Sequence, residues 1–278
     1  MNDALQPELL PTITSVQNRQ VSKVRRWLAR PRDARRDGVL VADGVHLVHE
    51  AFLAGLPCHA LFVQEGSRSP EVIALRRDAE ARRIQPYTAS PHVFRALSPA
   101  EAPQGIVGVF ERPKWDRAVV WQALERGGGG HVAITHGLQD PVNLGSILRS
   151  AKAAGIRALI TSGETTDPFH HRAVRAAMGA SFSFPILIEE PFGPLLGTLS
   201  NLGLHSVGLG PRAPLELSEL PTNQRYAFVF GGEGPGIPAT LLERCELHAK
   251  IPMAEGIESL GVAAAAAVVF FHFALRAR

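Results

Sequence analysis

The chain has 278 residues, 45% hydrophobic and 20% charged, with a formal net charge of +3. That composition excludes a disordered tail protein and a fibrous repeat, and the length suits about two cored domains. A net charge so small makes the placement of the basic residues more informative than their sum.

In chain order, residues 1–20 (MNDALQPELLPTITSVQNRQ) place Asp3 and Glu8 ahead of any base and contain no apolar core, so neither a secretory nor a transit segment is expected. Residues 15–30 read as a helix opened by Thr14 or Ser15. Around it, residues 17–36 hold eight bases (Arg19, Lys23, Arg25, Arg26, Arg30, Arg32, Arg35 and Arg36) against the single acid Asp33. Two readings stand for this cluster: a solvated helix face, or a stripe that binds nucleic-acid phosphates. A strand over 39–42 follows, then a helix over 44–54 capped by Asp43, a strand over 60–63, a helix over 70–83 and a strand over 105–110.

The segments ERPKW (111–115) and GGGG (127–130) bracket a boundary, because tetraglycine loses much backbone entropy in any regular element. The expected division is a first domain over 1–112, a linker over 113–130 and a second domain over 131–278. The second half alternates again, with strands at 131–135, 157–161, 185–188, 203–208, 225–230 and 247–251 and helices at 143–155, 170–178 and 258–274. Such alternation defines an α/β architecture, in which ligands sit beyond the carboxyl ends of the strands. The longest apolar run, 260–271, falls well short of the roughly 20 residues of a membrane span. The two cysteines, Cys58 and Cys245, fit a reduced, cytoplasmic setting better than a disulfide scaffold. The 11 histidines, among them the pairs His46/His49 and His170/His171, form no metal-ligand spacing, and no metal is expected.

Three stretches carry chemistry. DPVNLGSILR (140–149) follows a strand and opens a helix, with Asn143 as a candidate cap and Arg149 more than a turn further on. FGGEGPGI (230–237) follows the apolar strand YAFVF. Its glycines let backbone approach a ligand, it places Glu233 among them, and it lacks the Gly-Lys-Ser/Thr of a phosphate-binding loop. IPMAEGIESL (251–260) ends with Glu258 and Ser259 at an expected helix start, where capping is the simplest role for both.

Together, in this order and strand-to-loop context, the stretches resemble the SpoU (TrmH-type) branch of the SPOUT RNA methyltransferases, over about residues 130–275. The segment 168–185, with Met178, Gly179 and Ala180, fits between the first and second motifs. Residues 15–110 resemble, more weakly, the small α/β/α substrate-binding domain of ribosomal RNA enzymes of this branch, most clearly at GVLVADGVHLVHE (38–50). The resemblance implies a deep trefoil knot in the C-terminal domain, a homodimer built through that domain, and S-adenosylmethionine as cofactor. It implies ribose 2′-hydroxyl methylation of RNA, with ribosomal 23S RNA ahead of transfer RNA. By position, Gly231, Gly232, Gly234, Ile251, Met253 and Leu260 match cofactor-binding residues, and Asn143, Arg149, Glu233 and Ser259 match the catalytic and RNA-binding polar set. Arg19, Lys23, Arg25, Arg26 and Arg30 become RNA-binding candidates.

A ribose hydroxyl is a poor nucleophile until its proton leaves. A guanidinium is a poor base, so Arg149 is better suited to stabilising the developing oxyanion, across the dimer interface in this family. Glu233 then orients its neighbours. The sequence departs from the family pattern at Gly261, where the third motif usually has Asn after Ser-Leu, and at Gly232 and Ala177, where Ser is usual. Two readings therefore remain open: an active enzyme with an altered pocket, or a cofactor- and RNA-binding relative with weak or lost catalysis. A plain RNA-binding module acting through the first domain is a third, more distant one.

Overall fold

The computed structural model describes residues 12–126, 130–188, 190–234 and 236–276. The N-terminal stretch with Asp3 and Glu8, Gly127 to Gly129 of the tetraglycine and Pro235 of the second motif lie outside the described residues. The chain divides into two compact units, Met1–Pro113 and Lys114–Arg278.

The first unit runs α1 (Arg19–Ala29), α2 (Pro31–Arg36), β1 (Val39–Asp43), α3 (Val45–Leu53), β2 (Cys58–Gln64), α4 (Pro70–Ala81), β3 (Tyr87–Ala89), α5 (Pro91–Leu97) and β4 (Ile106–Glu111). Its sheet has the order β1-β4-β2-β3, antiparallel except for the β2–β3 pair. Successive residues of β1 point to opposite faces and all of Val39 to Ala42 are buried, because both faces are covered. Val39 and Val41 join Val21, Val24, Phe94 and Leu97 of α1 and α5 in one layer. On α3, Phe52 meets Phe110 edge to face at 5.4 Å. Ahead of α1, Ile13 pairs with Ala89 and extends the sheet at β3.

The caps differ from expectation. Asn18, not Thr14 or Ser15, caps α1 by accepting the Gln20 N–H. The helix after β1 is entered at Gly44, and Asp43 instead accepts from the Ser98 hydroxyl at 2.9 Å. Residues 31–36, 87–89 and 91–97, unassigned from sequence, form α2, β3 and α5. Pro31 and Pro91 each sit at a helix start, where a missing N–H costs nothing.

The second unit runs α6 (Arg117–Arg126), β5 (Val132–His136), α7 (Pro141–Ala153), β6 (Ala158–Ser162), α8 (His171–Ala176), β7 (Ile186–Leu187), α9 (Phe192–Asn201), β8 (Leu204–Leu209), β9 (Leu215–Glu216), β10 (Arg225–Gly231), α10 (Ala239–Leu242), β11 (Leu247–Lys250) and α11 (Val262–Arg276). The seven strands pair in parallel throughout, in the order β7-β6-β5-β10-β8-β11-β9. From β5 the chain steps outward to β6 and β7, then returns to β8 on the far side. Strand β10 is later inserted between β5 and β8. The tract expected as a linker over 113–130 holds α6, whose Val120 and Leu124 are buried with Leu195 and Leu199 of α9 in the second unit's core. On the opposite face α11 packs against α7 and β10, and Phe270 and Phe273 meet Phe228 of β10. That last helix begins at Val262 rather than at residue 258, with the Gly261 carbonyl accepting the Ala265 N–H.

Candidate active site

Strands β8, β10 and β11 lie side by side, so the loops leaving their carboxyl ends converge. They enclose a cavity of about 450 Å³, within the ordinary range for cofactor sites. Leu209 ends β8, and Gly210 and Pro211 begin the loop after it. Phe230 to Gly234 and Gly236 come from β10 and its turn, and Ile251, Met253 and Glu258 to Gly261 from the loop after β11. Asn143 enters from α7.

The second-motif turn is tight for a steric reason. A Cβ on Gly231 would lie 2.1 Å from the backbone carbon of Gly236, and one on Gly232 would lie 2.4 Å from the Gly137 carbonyl oxygen. Glycine is therefore required where the β10 loop folds on itself and presses against the loop after β5.

Glu233 ties those two loops together. Its Oε2 accepts the Gln139 N–H at 3.1 Å. Its Oε1 accepts the Asp140 N–H at 3.3 Å and the Asn143 side-chain amide at 2.9 Å. Desolvation pushes the Glu233 carboxyl up, but the bonds from the Asn143 side chain and from backbone amides outweigh it and hold the group below the usual carboxylate range. Asn143 is thus not the helix cap. Asp140 is, accepting the Val142 N–H at 3.0 Å with Pro141 in the first helical position. Asn143, one turn in, is free to reach the carboxylate instead.

Of the residues singled out from sequence, Asn143, Glu233, Ser259, Gly231, Gly232, Gly234, Ile251, Met253 and Leu260 all line the cavity. Arg149 does not. It is exposed on α7, six residues beyond Asn143, which at about 100° per residue turns it well away from that side chain. Glu258 and Ser259 are exposed at the mouth, ahead of α11, and do not open the helix as expected. Arg19, Lys23, Arg25, Arg26 and Arg30 all belong to the first unit. Arg26 is committed there to Asp33 and Asp37, and Arg36 pairs with the same two acids. The sequence reading misses the contribution of Leu209 to Pro211. Its signal is a Gly-Pro pair directly after an apolar strand. No group of three or more His, Cys, Asp or Glu side chains able to hold a metal occurs among the described residues.

The donor set fits S-adenosylmethionine. Apolar walls from Leu209, Ile251, Met253 and Leu260, together with the side-chain-free backbone of Gly231, Gly232, Gly234 and Gly236, form a cradle for a nucleoside and its thioether arm. A parallel sheet with such a site at its strand ends defines an α/β cofactor-binding domain following a separate α/β domain. Residues 131–271 match the model of the SpoU rRNA Methylase family, and residues 42–115 match that for RNA 2′-O ribose methyltransferase substrate binding. The chain belongs to the SpoU rRNA methylase family, whose members are S-adenosylmethionine-dependent RNA 2′-O-ribose methyltransferases. It is 29% identical to the 23S rRNA (guanosine(2553)-2′-O)-methyltransferase RlmP of Bacillus subtilis, over 92% of this chain and 98% of that one. It is 30% identical to an uncharacterized tRNA/rRNA methyltransferase of Synechocystis, over 95% and 93%. An AdoMet-bound rRNA methyltransferase of Sinorhizobium meliloti superposes with a TM-score of 0.83 at 26% identity, covering 96% of this chain and 98% of that one.

Proposed function

We propose that this chain methylates a ribose 2′-hydroxyl of ribosomal RNA, in the large-subunit 23S RNA, in the cytoplasm. The observation that carries the reading is the cavity at the ends of β8, β10 and β11 with the Asn143–Glu233 clasp on its wall. When bound there, the cofactor supplies an electrophilic methyl group on a sulfonium. Gly231, Gly232, Gly234, Ile251, Met253 and Leu260 hold and orient it. Positioning of this kind supplies much of the rate, since the sulfonium carries its own driving force. Glu233 fixes the start of α7 and holds the Asn143 side chain on the cavity wall, and Ser259 offers a hydroxyl at the mouth.

Arg149 stabilises the oxyanion that develops on the ribose. Within one chain it faces away from the cavity, which supports its service to the site of a second copy. On α11, beside α7, the apolar side chains Val268, Phe271 and Leu275 are 42%, 40% and 67% exposed at i, i+3 and i+7 spacing. A contiguous apolar stripe of that sort is covered in an assembly, and a homodimer through this face supplies the cover. The return of the chain from β11 across to α7 and β10 fits the trefoil knot that the family resemblance implies.

Mapping of 2′-O-methyl groups in ribosomal and transfer RNA, with and without the gene, tests the reading. One ribosomal position loses its methyl group on deletion and regains it with the native chain but not with Arg149→Ala. Loss confined to transfer RNA overturns the substrate, and no loss anywhere, with cofactor binding retained, supports a relative without catalysis.

A further inference from the structure

The ionisable side chains that line the cavity are both acids: Glu233 and Glu258, with no lysine, arginine or histidine beside them among the described residues. The two carboxylates differ in what they are free to do. Glu233 is spent on Gln139, Asp140 and Asn143. Glu258 is exposed at the mouth and makes no hydrogen bond or ion pair among the described residues. Residues 252–261, the loop that carries it, contain Glu255 as a second acid and no base. The walls around it are glycine backbone and the apolar side chains of Leu209, Ile251, Met253 and Leu260. Walls of low polarisability concentrate the field of an unpaired charge within a cleft.

We infer that Glu258 makes this cavity discriminate by charge, favouring a sulfonium cofactor over the neutral thioether left once the methyl group has gone. The inference rests on the methyl-transfer reading above and names what selects the incoming cofactor over the spent one. S-adenosylmethionine carries a sulfonium and an ammonium against one carboxylate. S-adenosylhomocysteine keeps the ammonium and the carboxylate and loses only the methyl group and the sulfonium charge. A site that reads shape and backbone hydrogen bonds alone holds the two almost equally. A carboxylate several ångströms from the sulfur attracts only the first. Because Glu258 is exposed, its surroundings are close to water in dielectric, and there that attraction is worth about threefold to tenfold in affinity. At equal concentrations fresh cofactor then displaces the product at equilibrium. Because Glu258 is exposed, the preference shrinks as salt is added.

Calorimetric titration of the full chain with S-adenosylmethionine and S-adenosylhomocysteine, at low and high salt, tests this. In the native protein the sulfonium form binds more tightly. Glu258→Gln weakens S-adenosylmethionine about threefold to tenfold and leaves S-adenosylhomocysteine within about twofold, which also shows that the variant's site is folded. Glu255→Gln, outside the cavity lining, leaves the ratio of the two affinities where it was. If Glu258→Gln weakens both ligands alike, Glu258 faces the amino group they share and the inference fails while the cofactor reading stands. It fails in the same way if Glu258→Gln changes neither. If the native protein binds neither ligand, the cofactor reading fails with it.

Discussion

Two glycines stand where the family pattern has a larger residue, and the structure separates them. A Cβ on Gly232 would meet the Gly137 carbonyl oxygen at 2.4 Å, whereas one on Gly261 meets nothing within 4 Å. Gly232→Ser therefore forces the β5 and β10 loops apart and costs about 1–3 kcal/mol, read as a lowered melting temperature and weaker cofactor binding. Gly261→Asn costs nothing sterically. It places a good capping side chain at the residue whose carbonyl already opens α11, so stability is unchanged or raised by roughly a few tenths of a kcal/mol. A Gly261→Asn variant that unfolds more easily than the native chain contradicts this account. His131 is a second residue with a measurable consequence. It lies against Tyr226, Phe228 and Phe273, and its Nδ1 accepts the Tyr226 N–H at 3.1 Å. Burial, reinforced by the nearby Arg225 charge, lowers its pKa from 6.5 to about 4. The unfolded chain thus takes up a proton that the folded one refuses, and this contribution to stability is lost as pH falls from about 6.5 to about 4. Denaturant titrations across that window show the decline, of order 2–3 kcal/mol from this group, and His131→Asn flattens it.

The elements that position the site differ in how openly the sequence declares them. Strands β5, β8 and β10 are largely apolar runs flanked by turn residues and are legible as such, and so are the loops that leave them. The start of α7 is harder to read because Asp and Asn compete for the cap. Pro at the first helical position settles it for Asp140, and the Asn143 amide is left to a carboxylate 90 residues away that no local pattern reveals. Helix α6 is hidden for a related reason. Next to tetraglycine its ten residues look like a linker, and it is held by partners distant in sequence. One is Arg225, which donates to the carbonyls of Leu124 at 2.7 Å and Leu202 at 2.9 Å and so satisfies the ends of α6 and α9 together. Helix α11 is legible as a buried apolar helix, but its exposed stripe is not, since alanine and valine read alike on both faces. Phe271→Asp places a charge in that stripe, and sedimentation should show a monomer with unchanged circular dichroism and much reduced methyl transfer. A Phe271→Asp protein that remains dimeric removes the stripe from the interface.

For the whole molecule, length and the alternation of strands with helices point to two α/β units, and the boundary at Pro113 follows from which core receives α6. The net charge of +3 understates one surface and the basic cluster overstates it, because Asp33 and Asp37 take up Arg26 and Arg36. Neutralising Arg19, Lys23 and Arg30 together should weaken RNA binding and flatten its salt dependence by about 0.7–0.9 in slope for each phosphate no longer neutralised. Arg26→Gln alone should do markedly less, in filter-binding titrations at several salt concentrations. The order of the second sheet has one more effect, on the timing of assembly. Strand β5 has its inner neighbour only once β10, more than 90 residues later, slides in beside it, and the mouth of the cavity waits for residues 251–261 and for α11. A nascent chain presents its first unit, and the basic stripe with it, long before the last third of the sequence exists. On the proposed reading of that stripe, RNA can therefore be bound during synthesis before a cofactor can be held. The proposed methyl transfer is then chemically silent until the ribosome making the chain has nearly finished.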